Sequence, residues 1–420
     1  MAASRVTPTL LFADTDGNIY DHPDLLMLCR RGKELALPRP DEMTPLPAGS
    51  DLYLLPCRHA IGLNPDTGQI EAMEEYAVAA FVCPGYTLSG TAAYQTGEDA
   101  PCLPLFAYGA VGYANGRFWV AAKRVDTDPR QVFGHIPNTK IDQGAHALLK
   151  KFPENRLVQH LSKCALTYCC PAAKNLALGR FEAPIPTSRT CNARCIGCIS
   201  LQAEDSGFPS PQNRIGFTPT VQEICELMHH HQGREKRPIY SFGQGCEGEP
   251  LTEAELLARA IKTFRSAGGR GTVNINTNAS LPETMAPLAA AGLSSIRVSL
   301  NSARKDIYTA YYRPKGYTWE DVVETIARAR ANGLFVSLNY LFFPGLNDTE
   351  EELEALVALI STHKVDLIQM RNLSLDPEVY LDRLAAPRPG PSMGLANFMK
   401  RLRKSCPGLK FGYFNPYLDD

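Results

Sequence analysis

The chain has 420 residues, 44% hydrophobic and 21% charged, which places it with ordinary globular proteins and excludes the disordered, collagen-like and coiled-coil classes. At roughly 150 residues per domain, that length suggests two or three domains, enough to bury a large core. Forty-three Lys and Arg against 44 Asp and Glu leave a net charge of -1, so no global basic excess advertises a nucleic-acid or anionic-membrane partner, and nucleic acid stays open only through local patches.

The opening MAASRVTPTLLFADTDG reaches acidic residues before any signal-type apolar core develops, and no run approaches the ~18 apolar residues of a membrane helix. The expected address is the cytoplasm, with no membrane partner. There, thirteen cysteines, an odd number, point to metal or redox ligation rather than to a disulfide framework.

Residues 1–140 read as a mostly β N-terminal module, with strand-like runs at Ser50 to Pro56, Tyr76 to Tyr86 and Gly116 to Asp126. Asn115-Gly116 between two such runs is a hairpin signal. Residues 141–180 read as a helical connector: Ala145, Leu148, Leu149 and Phe152, then Leu157, Leu161 and Cys164, recur at three- and four-residue steps with a break at Pro153.

From 181 to 375 short apolar runs alternate with amphipathic segments. The strand candidates are FEAPIPTS, PIYSFG, TVNINTN, SIRVSLNS, FVSLNYLFF and DLIQMRNLS, with helices starting near Thr220, Thr252, Leu281, Thr318 and Thr349. Thr252, Thr318 and Thr349 each stand three residues before an acidic residue, a capping-box pattern. The fold class is therefore α/β: six parallel strands with right-handed crossovers make a curved partial barrel whose working edge is the carboxyl end of the strands. Residues 376–420 read as a closing segment, an amphipathic helix and then a strand that plugs the barrel. Its KRLRK run with Phe411, Tyr413, Phe414 and Tyr417 is the one local pattern that could instead grip RNA by phosphate contact and stacking.

Directly after the first strand, CNARCIGC puts Cys191, Cys195 and Cys198 on one loop. Three thiolates can hold three corners of a cubane iron–sulfur cluster and leave one iron open, whereas a tetrahedral zinc site needs a fourth ligand, for which Cys225, His229, His230 and His231 are available. The motif resembles that of the radical S-adenosylmethionine (radical SAM) superfamily, C-x-x-x-C-x-x-C after the first strand of a partial (β/α)6 barrel. One departure is Gly197, where the superfamily commonly has an aromatic residue. The resemblance implies a 4Fe–4S cluster on the three cysteines and S-adenosylmethionine (SAM) chelating the open iron. It further implies reductive cleavage to a 5′-deoxyadenosyl radical, a hydrogen-donating substrate that the sequence does not identify, and an electron donor such as a flavodoxin or ferredoxin.

Other strand ends extend the resemblance. GQGCEGEP, with Gly245, Gly248 and Pro250 around two carboxylates, looks like the superfamily's G-G-E-P motif and assigns the SAM amino group to Glu249, with Glu247 as fallback. Asn276 and Asn278 at the third strand's end, and Ser299 and Asn301 at the fourth's, should face the barrel mouth by the two-residue period. Ser299 and Arg313 match the pair that holds the SAM carboxylate. Asn339 and Tyr340 lie on the segment that cradles adenine, and Gln369 and Arg371 share one face of the sixth strand as substrate-side or salt-bridge residues. No catalytic residue is assigned. Cys164, Cys169 and Cys170 in the connector read as buried thiols rather than as ligands of a second cluster that Cys57, Cys83 or Cys102 would complete, and Cys246 reads as a packing residue. Within the superfamily the substrate could be a small molecule, RNA or a peptide. From a different class, a zinc- or cluster-stabilised binding protein would show the same cysteines.

Overall fold

The computed structural model describes residues 6–384 and 390–418. Residues 1–5 of the opening stretch and residues 385–389 and 419–420 of the closing segment lie outside that range. Among the described residues no helix is long and apolar enough to cross a membrane.

The N-terminal region is mostly β, running from strand Thr9–Ala13 to strand Arg117–Arg124 with antiparallel pairing throughout. Its longest ribbon joins Asp51–Leu63 to Ile70–Phe81. The Asn115-Gly116 hairpin forms as expected: both residues have positive φ, 52° and 75°, the twist that a two-residue turn between right-twisted strands needs. Along Thr9–Ala13 side chains alternate between two faces that are both covered, so the adjacent buried residues Leu10 and Leu11 enter two separate apolar clusters.

The connector is three helices, α1 (Asn138–Lys151), α2 (Arg156–Leu166) and α3 (Pro171–Leu178). The first break falls at Pro153, as the sequence suggests, and Asn155 caps α2 by accepting from the Val158 amide. A second break precedes Pro171, whose ring suits the first turn of α3; the sequence pattern had run straight through it.

Seven strands form the second sheet: Glu182–Pro184, Ile239–Phe242, Thr272–Thr277, Ser295–Leu300, Phe335–Phe342, Leu367–Asn372 and Lys410–Gly412, in sequence order and all parallel. The first six are the expected barrel strands and the seventh is the closing strand. Covering them are α4 (Val221–Gln232), α5 (Ala254–Ser266), α6 (Met285–Ala290), α7 (Lys305–Tyr312), α8 (Trp319–Ala331), α9 (Glu350–His363), α10 (Pro377–Leu384) and α11 (Leu395–Ser405). Of the three capping boxes read from the sequence only Thr318 with Asp321 forms, while Thr220 with Glu223 makes one that was not singled out. The Thr252 hydroxyl turns instead to the carbonyl of Glu249, and that of Thr349 to Leu346.

Alternation along the barrel strands sorts chemistry between the two faces. Val273, Ile275, Ile296, Val298 and Leu338 join the apolar core, while Asn274, Asn276, Ser295, Arg297 and Gln369 bond to one another inside. Asn415, just past the closing strand, donates to Glu182 and accepts from Gln369 across this interior. Tyr413 and Phe414 are buried beside it. The closing segment is thus a plug, and those two rings are not presented for base stacking. The N-terminal region grips the sixth strand: the Thr87 hydroxyl donates to the Met370 carbonyl, Asn372 bonds Leu88 and Tyr86, and Arg58 pairs with Asp376 at 2.9 Å in full burial.

Candidate active site

The segment from Cys191 to Cys198 has no regular structure, and neighbouring backbone holds it from two sides. On one side, the end of α7 and the residues after it run alongside: the amides of Arg194 and Ile196 donate to the carbonyls of Tyr312 and Tyr311, and the Lys315 amide donates to that of Asn192. On the other, the amides of Gly248 and Glu249 donate to the carbonyls of Ser188 and Thr190 at 2.7 and 2.8 Å. That approach is possible because residue 248 has no side chain. A Cβ there would sit 1.8 Å from the Thr190 oxygen, so Gly248 is required by contact rather than by φ. Gly248→Ala is expected to push the two loops apart and reduce the iron that the cysteine loop is expected to hold to less than about half of wild type, read as iron per chain after reconstitution. Full iron retention would show that the contact can relax.

The three thiols are half-buried. Burial pushes the Cys191 thiol up to about 11, and burial followed by Cys198 and Cys191 pushes Cys195 higher still. Two such groups become thiolates side by side only against a strongly cationic partner. Among the described residues the only three His, Cys, Asp or Glu ligand atoms converging within 4.8 Å are those of His160, Cys164 and Cys246. The loop cysteines are therefore spread more widely than one ion needs, as suits thiolates on separate irons. Cys225 and His231, offered by sequence to complete a zinc knuckle, bond to the carbonyls of Ala260 and Phe181 instead.

Gly197 departs from the expected aromatic, and Tyr311 takes up the space: a Cβ on Gly197 would lie 2.8 Å from the Tyr311 hydroxyl. Arg214, which sequence reasoning missed, donates to the Cys198 sulfur at 3.6 Å and to the Ser200 hydroxyl at 3.2 Å. It sits in a loop of no periodicity, so nothing in its neighbourhood marked it.

Glu247 and Glu249 share a loop but differ in their commitments. Glu247 accepts from the amides of Thr187, Ser188 and Gln244 and from the Thr187 hydroxyl; it is a clamp between the first strand's exit and the second's. Glu249 accepts from the Leu251 and Asn278 amides and the Thr277 hydroxyl. Burial pushes both carboxyls up from 4.5 to about 7.

The remaining expected residues divide. Asn278 carries its amide to Asn192 in the cysteine loop at 2.8 Å, as a residue at the mouth should. Asn276 lies deeper, donating to the carbonyls of Phe242 and Gly243. Ser299 is at the strand's end, 3.5 Å from the Asn339 amide. Asn301 differs from expectation: the strand stops at Leu300, the two-residue period lapses, and the Asn301 amide bonds Ile307 and Tyr380 behind the mouth. Tyr340 likewise faces the helices, donating to Glu352. Arg313 is exposed in a left-handed cap of α7, φ 47°, beside the cysteine loop. Gln369 and Arg371 do face the interior, bonding Arg297 and the Tyr413 carbonyl and making no salt bridge among the described residues.

A family model described as the radical SAM superfamily matches residues 185–360. That stretch is a radical SAM domain. Similar curated proteins include the GTP 3′,8-cyclase of Streptomyces coelicolor, 32% identical over 133 residues, or 31% of this chain and 38% of the relative. Another is the dual-specificity RNA methyltransferase RlmN of Oleidesulfovibrio alaskensis, 28% identical over 193 residues, or 42% of this chain and 51% of the relative. The chain spans about half or less of these relatives. A solved spore photoproduct lyase aligns with 64% of this chain and 96% of its own at 12% identity and a TM-score of 0.39. The matched stretch takes in the second to fifth barrel strands and does not extend to the N-terminal β region.

Proposed function

We propose that the chain is a radical SAM enzyme that cleaves SAM reductively and removes a hydrogen atom from a substrate held in the polar half barrel. The observation that carries this reading is the cysteine loop: three thiols, not all within 4.8 Å of one another, sit on backbone locked to the loop that presents Glu249. When bound, a 4Fe–4S cluster on Cys191, Cys195 and Cys198 supplies the electron that splits the sulfonium into methionine and a 5′-deoxyadenosyl radical.

The chain's own residues then have distinct tasks. Glu249 keeps one lone pair, on Oε2, for an N–H group of the SAM amino end, and Asn278 fixes the cysteine loop over it. Ser299 and Arg313 flank the mouth for the SAM carboxylate, and a guanidinium fork suits that group. Gly248 permits the close approach. Asn276 and Asn301 act as frame, since their amides are already committed to protein partners.

The interior favours an anionic substrate. Arg297 and Arg371 stand there together, and burial and then Arg371 draw the Arg297 guanidinium down to about 10. The Arg297 Nε and the Asn339 Oδ1 are buried without hydrogen-bond partners, which calls for a ligand offering both an acceptor and a donor. The N-terminal region, clasped to the sixth strand's end, can narrow access to these residues.

Anaerobic protein reconstituted with iron and sulfide, then reduced with dithionite in the presence of SAM, is expected to release 5′-deoxyadenosine detectable by chromatography. A protein that binds only zinc on the cysteine loop and releases none would instead be a non-catalytic binding protein.

A further inference from the structure

We infer that His160, Cys164 and Cys246 form a second metal site, built for a single borderline divalent ion such as zinc. One ligand atom from each lies within 4.8 Å of the other two, and the Cys164 sulfur is 3.5 Å from His160 Nε2. His160 and Cys164 are four residues apart on α2 and so share one face of it, while Cys246 comes from the loop after the second barrel strand. Cys164 and Cys246 are 1% and 5% exposed. Cys170, at the start of α3, packs against the same small cluster and offers a thiol for a fourth position.

The donor set and its spacing choose the class of ion. Ligands about 2.0–2.3 Å from a tetrahedral zinc stand roughly 3.3–3.8 Å apart, so donors already within 4.8 Å need only small rotamer shifts. Thiolates on separate irons of a cubane would have to stand farther apart. Two thiolates and an imidazole suit zinc or cobalt and not magnesium or calcium. The closeness of the two thiols pulls that of Cys164 below its usual range and raises that of Cys246. A divalent ion displaces the remaining thiol protons to solvent, and no electron changes hands.

The site joins the connector to the loop that carries Glu247 and Glu249. Cys246 is adjacent to Glu247, and its carbonyl also accepts from the Ile215 amide. A metal there would brace this loop from behind while the cysteine loop holds it in front.

The test uses the full chain with Cys191, Cys195 and Cys198 replaced by serine, which removes the cluster ligands, so its outcome is independent of SAM cleavage. Titrated anaerobically with cobalt(II), this protein is expected to bind about one equivalent, with a thiolate-to-cobalt band in the near ultraviolet and tetrahedral bands in the visible. Cys164→Ser with Cys246→Ser should abolish the near-ultraviolet band, and His160→Ala should weaken binding at least about tenfold. Elemental analysis of wild type should find about one zinc per chain in addition to cluster iron, whether or not the serine variant folds. A folded serine variant that takes up cobalt without a thiolate band would overturn the assignment. So would wild type isolated under reducing conditions without zinc, or with Cys164 and Cys246 joined as a disulfide.

Discussion

Cys195→Ala is expected to lose cluster iron and SAM cleavage together, with 5′-deoxyadenosine falling at least about a thousandfold, to background. Cys195 is the middle ligand of the loop, and its thiol feels both other cysteines. Without it two thiolates remain, too few to hold three corners of a cubane. The loop itself should survive, because its backbone anchors at Arg194 and Ile196 do not involve the sulfur. Loss of iron in a folded protein therefore reports ligation rather than collapse. The measurements are iron and sulfide per chain, the visible absorption of the anaerobic protein and deoxyadenosine by chromatography. Cleavage that survived in this variant would mean the cluster is held elsewhere. Cys164→Ser provides the contrast: it should leave the cluster iron in place, since Cys164 lies on α2, outside the loop.

Much of this was legible because the half barrel repeats a local rule. Apolar residues at Val273, Ile275, Val298 and Leu338 alternate with polar ones at Asn274, Asn276, Ser299 and Asn339, and the alternation fixes which face meets helices before any packing is known. The cysteine triplet was equally plain, since its ligands are close in sequence. The rule failed where a strand ended. Asn301 lies one residue past Leu300, and once the extended backbone stops the two-residue period says nothing about direction.

What could not be read were meetings across the chain. Nothing near Cys164 announces that Cys246 will face it, and nothing near Gly197 shows that Tyr311 fills the space beside it. The sequence reading took Cys164, Cys169 and Cys170 as buried thiols. Cys164 is one, Cys170 is half-buried, and Cys169, at φ 52° in the turn between α2 and α3, is exposed. The N-terminal strands were visible singly, but their order was not, because antiparallel pairing is set by contacts between distant segments rather than by local pattern.

Glu249→Gln is expected to weaken SAM binding by about 10- to 150-fold, corresponding to the ~1.5–3 kcal/mol of a hydrogen bond to a charged group. The pH dependence should identify the residue as well as the loss. Burial raises the Glu249 carboxyl from 4.5 to about 7, so the folded, SAM-free protein binds this proton more tightly than the unfolded chain does. The stability so gained is complete below about pH 4.5 and is lost as pH rises through 7. SAM acts in the opposite direction. Its N–H donors need the ionised carboxylate, so affinity should climb from about pH 6 through 7 and flatten above about pH 8, and thermal protection by SAM should grow over the same interval. In the Gln variant the Glu249 contribution to that rise disappears. Some pH dependence of the unliganded protein's stability should remain, because Glu247 and Glu352 are also raised to about 7 by burial. Titration calorimetry of wild type and variant at several pH values separates the two effects. Unchanged affinity in Glu249→Gln would move the amino-group role to Glu247, which would then have to give up one of its four donors to make room.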